Sequence, residues 1–364
     1  MGLVRGICYD GWPAPYNPST ANNSYIFFGS DAANNLMTLL WGSRFTGANG
    51  QDIIPCRGDL YTMRDMGVEV IRLYDWEPRK SHLTFLNECH AASIAVLVSV
   101  SNWNLLDGYN ARPQQIPALI KSYANSAGSD YHPAVAGVII GNEPRVSGYT
   151  YTQCVGFTNS YVQIEAQQFP GFRKIRIGHP VDFNPYGGRY PCFGFWDPLL
   201  AGLQAIRSRL FLAPQSYNDR FYLFQNAEGS GKGWVDLAWE KYQVPIWFTE
   251  IGLDRLKANY ATFVTGQLTG VRDYSAAHPD RLFGACFFQF LDKVWMQGTS
   301  EGSYGAFQHT GTIAGRASYL PDDFPVYKQQ GWPHGPFDPG KEWLAMERLK
   351  ETPLYKTVKS VYKP

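Results

Sequence analysis

The chain has 364 residues, a length that suits one large domain better than a minimal one. Its 32 Lys and Arg residues are balanced by 31 Asp and Glu residues, so the net charge of +1 lacks the basic excess that nucleic-acid binding requires. No run of 18 apolar residues occurs, so we expect no membrane-spanning helix.

Short apolar runs rich in β-branched and aromatic residues alternate with amphipathic stretches along the chain. Eight such runs predict strands at 4–9, 69–74, 95–100, 135–140, 174–178, 210–214, 244–249 and 282–288. This alternation predicts β-α units around a parallel sheet, whose buried strands are continuously apolar. An open doubly wound sheet would give the same alternation, so the count of eight favours an α/β fold of the (β/α)8 TIM-barrel type.

The stretches between the strands have the apolar spacing of helices. They predict helices at 59–66, 82–92, 113–126, 151–168, 233–242 and 260–277. Residues from about 292 to 340 are rich in Gly, Pro, Tyr and Ser, and they predict a long loop or subdomain after the eighth strand. A last barrel helix is predicted at 341–350. No domain boundary is evident, so residues 1–364 are expected to form a single barrel domain with long loops at its C-terminal face.

Two glutamates directly follow or end predicted strands, where barrels of this type assemble their active sites. Glu143 follows the fourth strand in an Asn-Glu-Pro motif, and Glu250 ends the seventh in a Thr-Glu-Ile-Gly motif. Hydrolysis of a glycosidic bond with retention needs two carboxyl groups about 5–5.5 Å apart, one protonated and one ionised. We therefore predict Glu143 as general acid/base and Glu250 as nucleophile. Either motif alone also suits an ordinary strand end, so the prediction depends on the pair.

Neighbouring polar residues have predicted supporting roles. Arg72, an inward-pointing residue of the second strand, is expected to supply positive charge to Glu250, and Tyr217 to donate a hydrogen bond to the same carboxylate. Asn142 is expected to hydrogen-bond the 2-hydroxyl of the sugar, a contact that strengthens in the transition state. The alternative role of Asn142 is turn formation after the strand.

Aromatic residues make up 15% of the chain. Because Trp and Tyr faces stack on pyranose rings, this surplus favours an uncharged carbohydrate as partner, although an aromatic-rich core explains it as well. Further substrate-binding residues are predicted at the end of the second strand, Tyr74, and in or near strand-end loops, Trp12, Asp75, Trp76, Trp103 and Trp295. Core packing is the alternative for each Trp, and capping of the next helix is the alternative for Asp75.

The glutamate pair and its surroundings resemble clan A of the glycoside hydrolases, whose members are retaining (β/α)8 enzymes. Segments 70–75 (VIRLYD), 140–143 (IGNE) and 247–252 (WFTEIG) are similar to the β-1,3-glucan-active families 17 and 72 of that clan. Segment 56–89 resembles the family 72 glucanosyltransferases in particular. The resemblance implies a β-glucan substrate, above all β-1,3-glucan. It also implies a disulfide between Cys56 and Cys89, since a comparable pair is bridged in family 72.

Several alternatives stay open at this stage. The Asn-Glu-Pro motif also occurs in cellulases and mannanases of the clan, so a retaining endo-β-1,4-glucanase or mannanase is one alternative. A non-catalytic carbohydrate-binding barrel is another. Hydrolysis and transglycosylation are equally compatible with the sequence. Clustered His and Asp ligands are missing at the predicted strand ends, so no metal or other cofactor is expected.

The start of the sequence bears on the cellular location. No signal-peptide pattern precedes the first predicted strand, so the protein is either cytoplasmic, or secreted or at the cell surface after removal of a leader. The six cysteines form no Cys-x-x-Cys pair, which argues against a zinc site and leaves disulfides open. We expect a monomer.

Overall fold

The structure is a computed structural model that describes residues 4–10, 31–33, 41–42, 44–46, 52–55, 57–102, 105, 115–293, 302–317 and 343–363. The strands in these segments are β1 (Val4–Cys8), β2 (Arg44–Thr46), β3 (Asp52–Pro55), β4 (Val70–Arg72), β5 (Ala95–Val100), β6 (Val135–Ile140), β7 (Arg176–Asp182), β8 (Leu210–Ser216), β9 (Ile246–Ile251), β10 (Leu282–Phe287), β11 (Phe307–Ala317) and β12 (Trp343–Glu351). The α-helices are α1 (Asp59–Met66), α2 (Leu83–Ala91), α3 (Ile116–Ser122), α4 (Pro144–Ser147), α5 (Tyr151–Gln168), α6 (Phe193–Gly202), α7 (Arg220–Phe224), α8 (Trp234–Tyr242), α9 (Tyr260–Ala277) and α10 (Pro353–Tyr362).

Eight parallel strands close into a barrel in the order β1, β4, β5, β6, β7, β8, β9 and β10, and β10 pairs back with β1. Helices surround this barrel, so the predicted (β/α)8 fold is confirmed. β5 and β6 have the predicted bounds, and the other barrel strands overlap theirs. The two glutamates therefore lie at the ends of the fourth and seventh barrel strands, as expected.

The barrel interior is filled by side chains from alternate strand positions. Leu97 of β5 belongs to an inner cluster with Trp247 and Phe283, whereas its neighbours Val96 and Val98 belong to the layer between strands and helices. Because successive side chains of a strand point to opposite faces, each barrel strand contributes to both layers. The interior is thus a packed core, and polar side chains collect at its C-terminal end.

Helix ends in the outer layer have recognisable causes. Thr150 and Gln153 form a reciprocal capping box at the start of α5. Gly67 ends α1 with a left-handed φ of 86°. A Cβ at residue 67 would lie 2.9 Å from the Tyr362 carbonyl oxygen, so glycine also lets the end of α10 approach α1.

The C-terminal region differs from the prediction. The helix predicted at 341–350 is wrong, because 343–351 forms β12, which pairs antiparallel with β11. The last helix begins two residues after β12, where the Thr352 side chain accepts a hydrogen bond from the Leu354 N–H and Pro353 occupies the first turn. β11 lies inside the predicted loop of residues 292–340, of which 294–301 and 318–340 are outside the described segments.

No helix in the described segments has the length and apolarity needed to cross a membrane.

Candidate active site

Glu250 lies at the end of β9, where the residue is 3% exposed and its carboxylate accepts four hydrogen bonds. Three donors converge on Oε1: Arg72 Nη1 at 2.7 Å, the Tyr74 hydroxyl at 2.7 Å and Gln215 Nε2 at 2.6 Å. The Tyr217 hydroxyl donates to Oε2 at 2.6 Å. These donors come from the second and sixth barrel strands or from the residues directly after them. Four donors on one buried carboxylate hold it in one orientation.

The charge opposite Glu250 comes from the buried guanidinium of Arg72. Burial by itself lowers the pKa of Arg72, but Tyr74 and Glu250 raise it above its ordinary value, so the residue stays cationic. The guanidinium carbon also lies 3.6 Å from the centre of the Tyr74 ring. Burial and the adjacent Glu250 raise the pKa of Tyr217 well above its ordinary value, which keeps its hydroxyl a donor.

Asn142 connects the two glutamates. Its Oδ1 accepts hydrogen bonds from Arg72 Nη2 and, at 2.7 Å, from Gln215 Nε2, and both donors also reach Glu250. Its Nδ2 faces Glu143 and lies 3.4 Å from Oε2 of that residue. Glu143 and Glu250 are therefore joined through Asn142 by two short hydrogen-bonded paths, one by way of Arg72 and one by way of Gln215.

Glu143 occupies a tight turn between β6 and α4. Gly141 has a φ of 72° and Glu143 a φ of 51°, both in the left-handed region that a non-glycine residue rarely adopts. The Glu143 N–H donates to the Pro180 carbonyl at 3.1 Å, and buried Pro144 starts α4 in its first turn. Such a conformation costs of order 1 kcal/mol or more and is found preferentially at functional sites. Here it places the half-buried Glu143 side chain beside Asn142.

The Asn142 peptide is braced from the end of the third barrel strand. Asn102 Oδ1 accepts from the Asn142 N–H at 2.6 Å, and Asn102 Nδ2 donates to Ser147 Oγ at 2.7 Å. Ser147 Oγ in turn donates to the Asn142 carbonyl at 2.6 Å. The backbone N–H and carbonyl of Asn142 are thereby both satisfied by side chains, which favours one orientation of the Asn142 side chain.

A thiol lies on the core side of the carboxylate. Cys8, at the end of β1, donates from Sγ to the Thr249 carbonyl at 3.2 Å. Burial raises the pKa of Cys8 to about 12, despite the nearby positive charge of Arg72. The thiol is therefore neutral and serves as a packing group rather than a nucleophile.

A lysine lies beside the donors. The Lys293 ammonium is 5.7 Å from the centre of the Tyr74 ring and 5.1 Å from that of Phe288. Tyr217 and Phe288 make an edge contact with ring centres 6.1 Å apart. Lys293 thus adds positive charge next to a cluster of aromatic rings at the end of the eighth barrel strand.

The structure changes the roles of two predicted substrate-binding residues. Trp76 is fully buried, stacks on His82 with ring centres 3.7 Å apart, and donates to Ser122 Oγ, so it packs in the core and cannot stack on a sugar. Arg72 is also fully buried, and its partners are Glu250 and Asn142. It supplies the predicted charge to Glu250, but it is not positioned to contact substrate.

The remaining predicted residues are placed less completely. Tyr74 and Tyr217 are half-buried and hold Glu250, and Asp75 is half-buried after the second barrel strand. Cys89 is a buried thiol in α2. Four predicted residues lie outside the described segments: Trp12, Cys56, Trp103 and Trp295. The sugar-stacking roles of the three tryptophans and the bridge from Cys56 to Cys89 stay predictions.

Asn102 directly follows the third predicted strand, where a contribution to the site is expected, but sequence reasoning missed its partner Ser147 and the amide of Gln215. The sixth strand was predicted to end at Pro214, but β8 continues to Ser216. A period of two could have found Gln215, because Phe211 and Ala213 face the barrel interior and the next positions in that series are Gln215 and Tyr217.

Within the described part of the chain, no group of three or more His, Cys, Asp or Glu side chains is arranged to hold a metal ion.

The chain matches no protein-family model and no curated protein sequence. It does resemble crystal structures of Saccharomyces cerevisiae Gas2p. A glutamate-to-glutamine variant of Gas2p in complex with laminaritetraose and laminaripentaose is 16% identical, with a TM-score of 0.54. That match covers 99% of this chain and 63% of the Gas2p chain.

Two further Gas2p structures give the same result. The complex with laminaritriose and laminaritetraose is 16% identical with a TM-score of 0.54, over 99% of this chain and 64% of the other. The apostructure of the variant is 14% identical with a TM-score of 0.54, over 99% and 60%. The chain thus spans somewhat less than two thirds of the length of these Gas2p chains, and the likeness concerns the fold.

Proposed function

We propose that this protein is a retaining glycoside hydrolase or transglycosylase that acts on β-1,3-glucan, with Glu143 as general acid/base and Glu250 as nucleophile. The observation that carries the proposal is the pair of glutamates at the ends of the fourth and seventh barrel strands, joined through Asn142 and Gln215. One member is buried among four donors and the other is half-buried in a strained turn. Two carboxyl groups in such different surroundings suit the two roles that retention requires.

The hydrogen bonds indicate which oxygen of Glu250 attacks. Oε1 is occupied by three donors, whereas Oε2 accepts only from Tyr217 among the described residues. Oε2 therefore keeps a lone pair for the anomeric carbon. Glu143 gives its proton to the glycosidic oxygen as the bond from that oxygen to the anomeric carbon breaks, and Oε2 forms the new bond.

The second half of the reaction reverses these roles. Glu143, now a carboxylate, takes a proton from water or from a sugar hydroxyl, and the resulting oxygen bonds to the anomeric carbon as Glu250 leaves. Two inversions give net retention. The incoming group decides between hydrolysis and transfer.

The choice of β-1,3-glucan has two supports. Segments 70–75, 140–143 and 247–252 resemble families 17 and 72, and the Gas2p structures of similar fold hold laminari-oligosaccharides. Laminaripentaose should accordingly be processed in preference to cellopentaose or mannopentaose. Products longer than the substrate would indicate transfer, and shorter ones alone hydrolysis. Faster cleavage of cellopentaose or mannopentaose would replace β-1,3-glucan by the alternative that the Asn-Glu-Pro motif left open.

Chemical rescue tests the two roles separately. Glu250→Ala and Glu143→Ala should each lose turnover by orders of magnitude, with Glu240→Gln on the exposed face of α8 as the control. With an aryl β-laminaribioside and azide, the Glu250 variant should give the α-glycosyl azide, because the anion replaces the nucleophile. The Glu143 variant should give the β-glycosyl azide, because azide attacks the covalent intermediate. Wild-type turnover in either variant would refute the assignment.

A further inference from the structure

We propose that Gln215 is a positioning residue that couples the two glutamates, a role that rests on the proposed function. Gln215 is 1% exposed at the end of β8, directly beside Glu250 in the pairing of β8 with β9. Nε2 donates to Glu250 Oε1 at 2.6 Å and to Asn142 Oδ1 at 2.7 Å. Both N–H groups of one amide are thus used, one on each side of the site.

The orientation of this amide follows from its partners. Asn142 Oδ1 and the Glu250 carboxylate are both acceptors, so only the NH2 side of Gln215 can face them. The Gln215 Oε1 atom is buried and accepts no hydrogen bond from the described residues. An unpaired buried acceptor has an energetic cost. The unpaired Oε1 lowers the stability of the fold, and the same orientation of the amide lets Nε2 donate to both Asn142 and Glu250. We therefore infer that the orientation serves to position these two side chains rather than to stabilise the fold.

Gln215 and Arg72 together determine how Asn142 presents its amide. Arg72 is a pure donor and occupies one lone pair of Asn142 Oδ1, and Gln215 occupies the other. With Oδ1 held from two sides, Nδ2 must point toward Glu143. Gln215 therefore acts on the nucleophile directly and on the acid/base through Asn142. Loss of Gln215 leaves Asn142 with one anchor, and both glutamates lose alignment.

A neutral donor is required at this position. A carboxylate would bring a second negative charge against Glu250 and offer no proton to either acceptor. Gln215→Glu keeps the shape of the side chain but replaces the amide by a carboxyl group. When that carboxyl group is protonated, it can donate only one of the two hydrogen bonds that the amide donates. Its activity should therefore be confined to lower pH than that of the wild-type enzyme.

The experiment compares Gln215→Leu, Gln215→Glu and Gln267→Leu with the wild-type chain on laminaripentaose. Gln267 is a matched control, because it is fully buried, donates from Nε2 to the Asn218 carbonyl at 2.7 Å, and has an Oε1 that accepts no hydrogen bond within the described segments. Gln215→Leu should lower kcat about 10- to 100-fold, the range expected for lost hydrogen bonds to a charged group. KM should change less than threefold, since the buried amide does not touch the sugar. The Gln267 variant should lose stability while its pH profile stays that of the wild-type enzyme.

The pH profile separates positioning from a merely structural role. In Gln215→Glu, the basic limb of kcat/KM should move to lower pH while circular dichroism shows the fold intact over the same range. Wild-type kcat in Gln215→Leu, or an unshifted profile in Gln215→Glu, would overturn the inference. If Glu250→Ala and Glu143→Ala are inactive in the same assay, that result leaves the proposed function standing. If those two variants are active, the proposed function itself fails.

Discussion

Replacement of Arg72 by Met tests how the barrel interior holds the Glu250 charge. The two side chains are 1% and 4% exposed, and Arg72 Nη1 lies 2.7 Å from Glu250 Oε1. Two unit charges about 4 Å apart attract by about 4 kcal/mol at an effective dielectric constant near 20. Breaking a buried pair by removing one partner costs about 3–5 kcal/mol, because the remaining charge stays buried. Since Tyr74, Gln215 and Tyr217 still donate to Glu250, we expect the lower end, about 3 kcal/mol.

A double-mutant cycle measures this coupling. The free energy of unfolding is obtained from urea denaturation at pH 7 for the wild-type chain, Arg72→Met, Glu250→Gln and the double variant. Each single variant should be less stable, since each leaves one buried charge without its partner. The double variant, which buries neither charge, should be more stable than the sum of the two losses by about 2 kcal/mol or more. Additive losses, within about 0.5 kcal/mol, would refute the view that Arg72 and Glu250 stabilise each other.

Three further predictions concern the surrounding scaffold. Burial lowers the pKa of His179 to about 3, so the unfolded chain binds a proton there that the folded chain does not. The free energy of unfolding should therefore fall as the pH drops from about 6.5 toward 3, by up to about 1.4 kcal/mol per pH unit. In urea denaturation across pH 4–6, the unfolding free energy of His179→Gln should depend less steeply on pH than that of the wild-type chain. Burial by itself raises the pKa of Glu165, but hydrogen bonds and positive charge from Arg209 lower it below its ordinary value. Glu165→Gln should therefore lower the free energy of unfolding by about 3 kcal/mol at pH 7, and by less as acid protonates the wild-type residue. An equal loss at all pH values would contradict a stabilising ion pair. Gly141 has a φ of 72°, and a Cβ there would lie 2.5 Å from the Tyr149 hydroxyl. Gly141→Ala should therefore lower thermal stability and turnover together. Unchanged turnover would show that the turn before Glu143 does not determine the position of its side chain.

The barrel and the glutamate pair could be predicted from the sequence. Strands buried on two faces need continuous apolar runs, and β5 and β6 coincide with such runs. Polar residues that directly follow these runs fall at the C-terminal face in every parallel barrel. Glu143 and Glu250 therefore had to lie at the same end of the molecule once eight strands were counted. Apolar spacing was also sufficient for α5, whose predicted and observed bounds agree.

Other features depended on contacts between distant parts of the chain. Residues 343–351 have no local property that requires a strand, and they form β12 because β11 offers unpaired backbone groups beside them. Trp76 lies in a strand-end loop, where a sugar-stacking role and a packing role have the same sequence signature. In the folded protein the His82 ring stacks on the Trp76 ring, so Trp76 has the packing role.

The amino-acid sequence by itself determined which residues form barrel strands and which polar side chains stand at their ends, because burial periodicity is a local property. Only the tertiary structure decided that Arg72, Gln215 and Asn142 converge on the glutamates. Arg72 is 178 positions from Glu250, and Gln215 is 35 positions away. Hydrogen bonds over such separations depend on barrel closure and strand register, which no local pattern encodes.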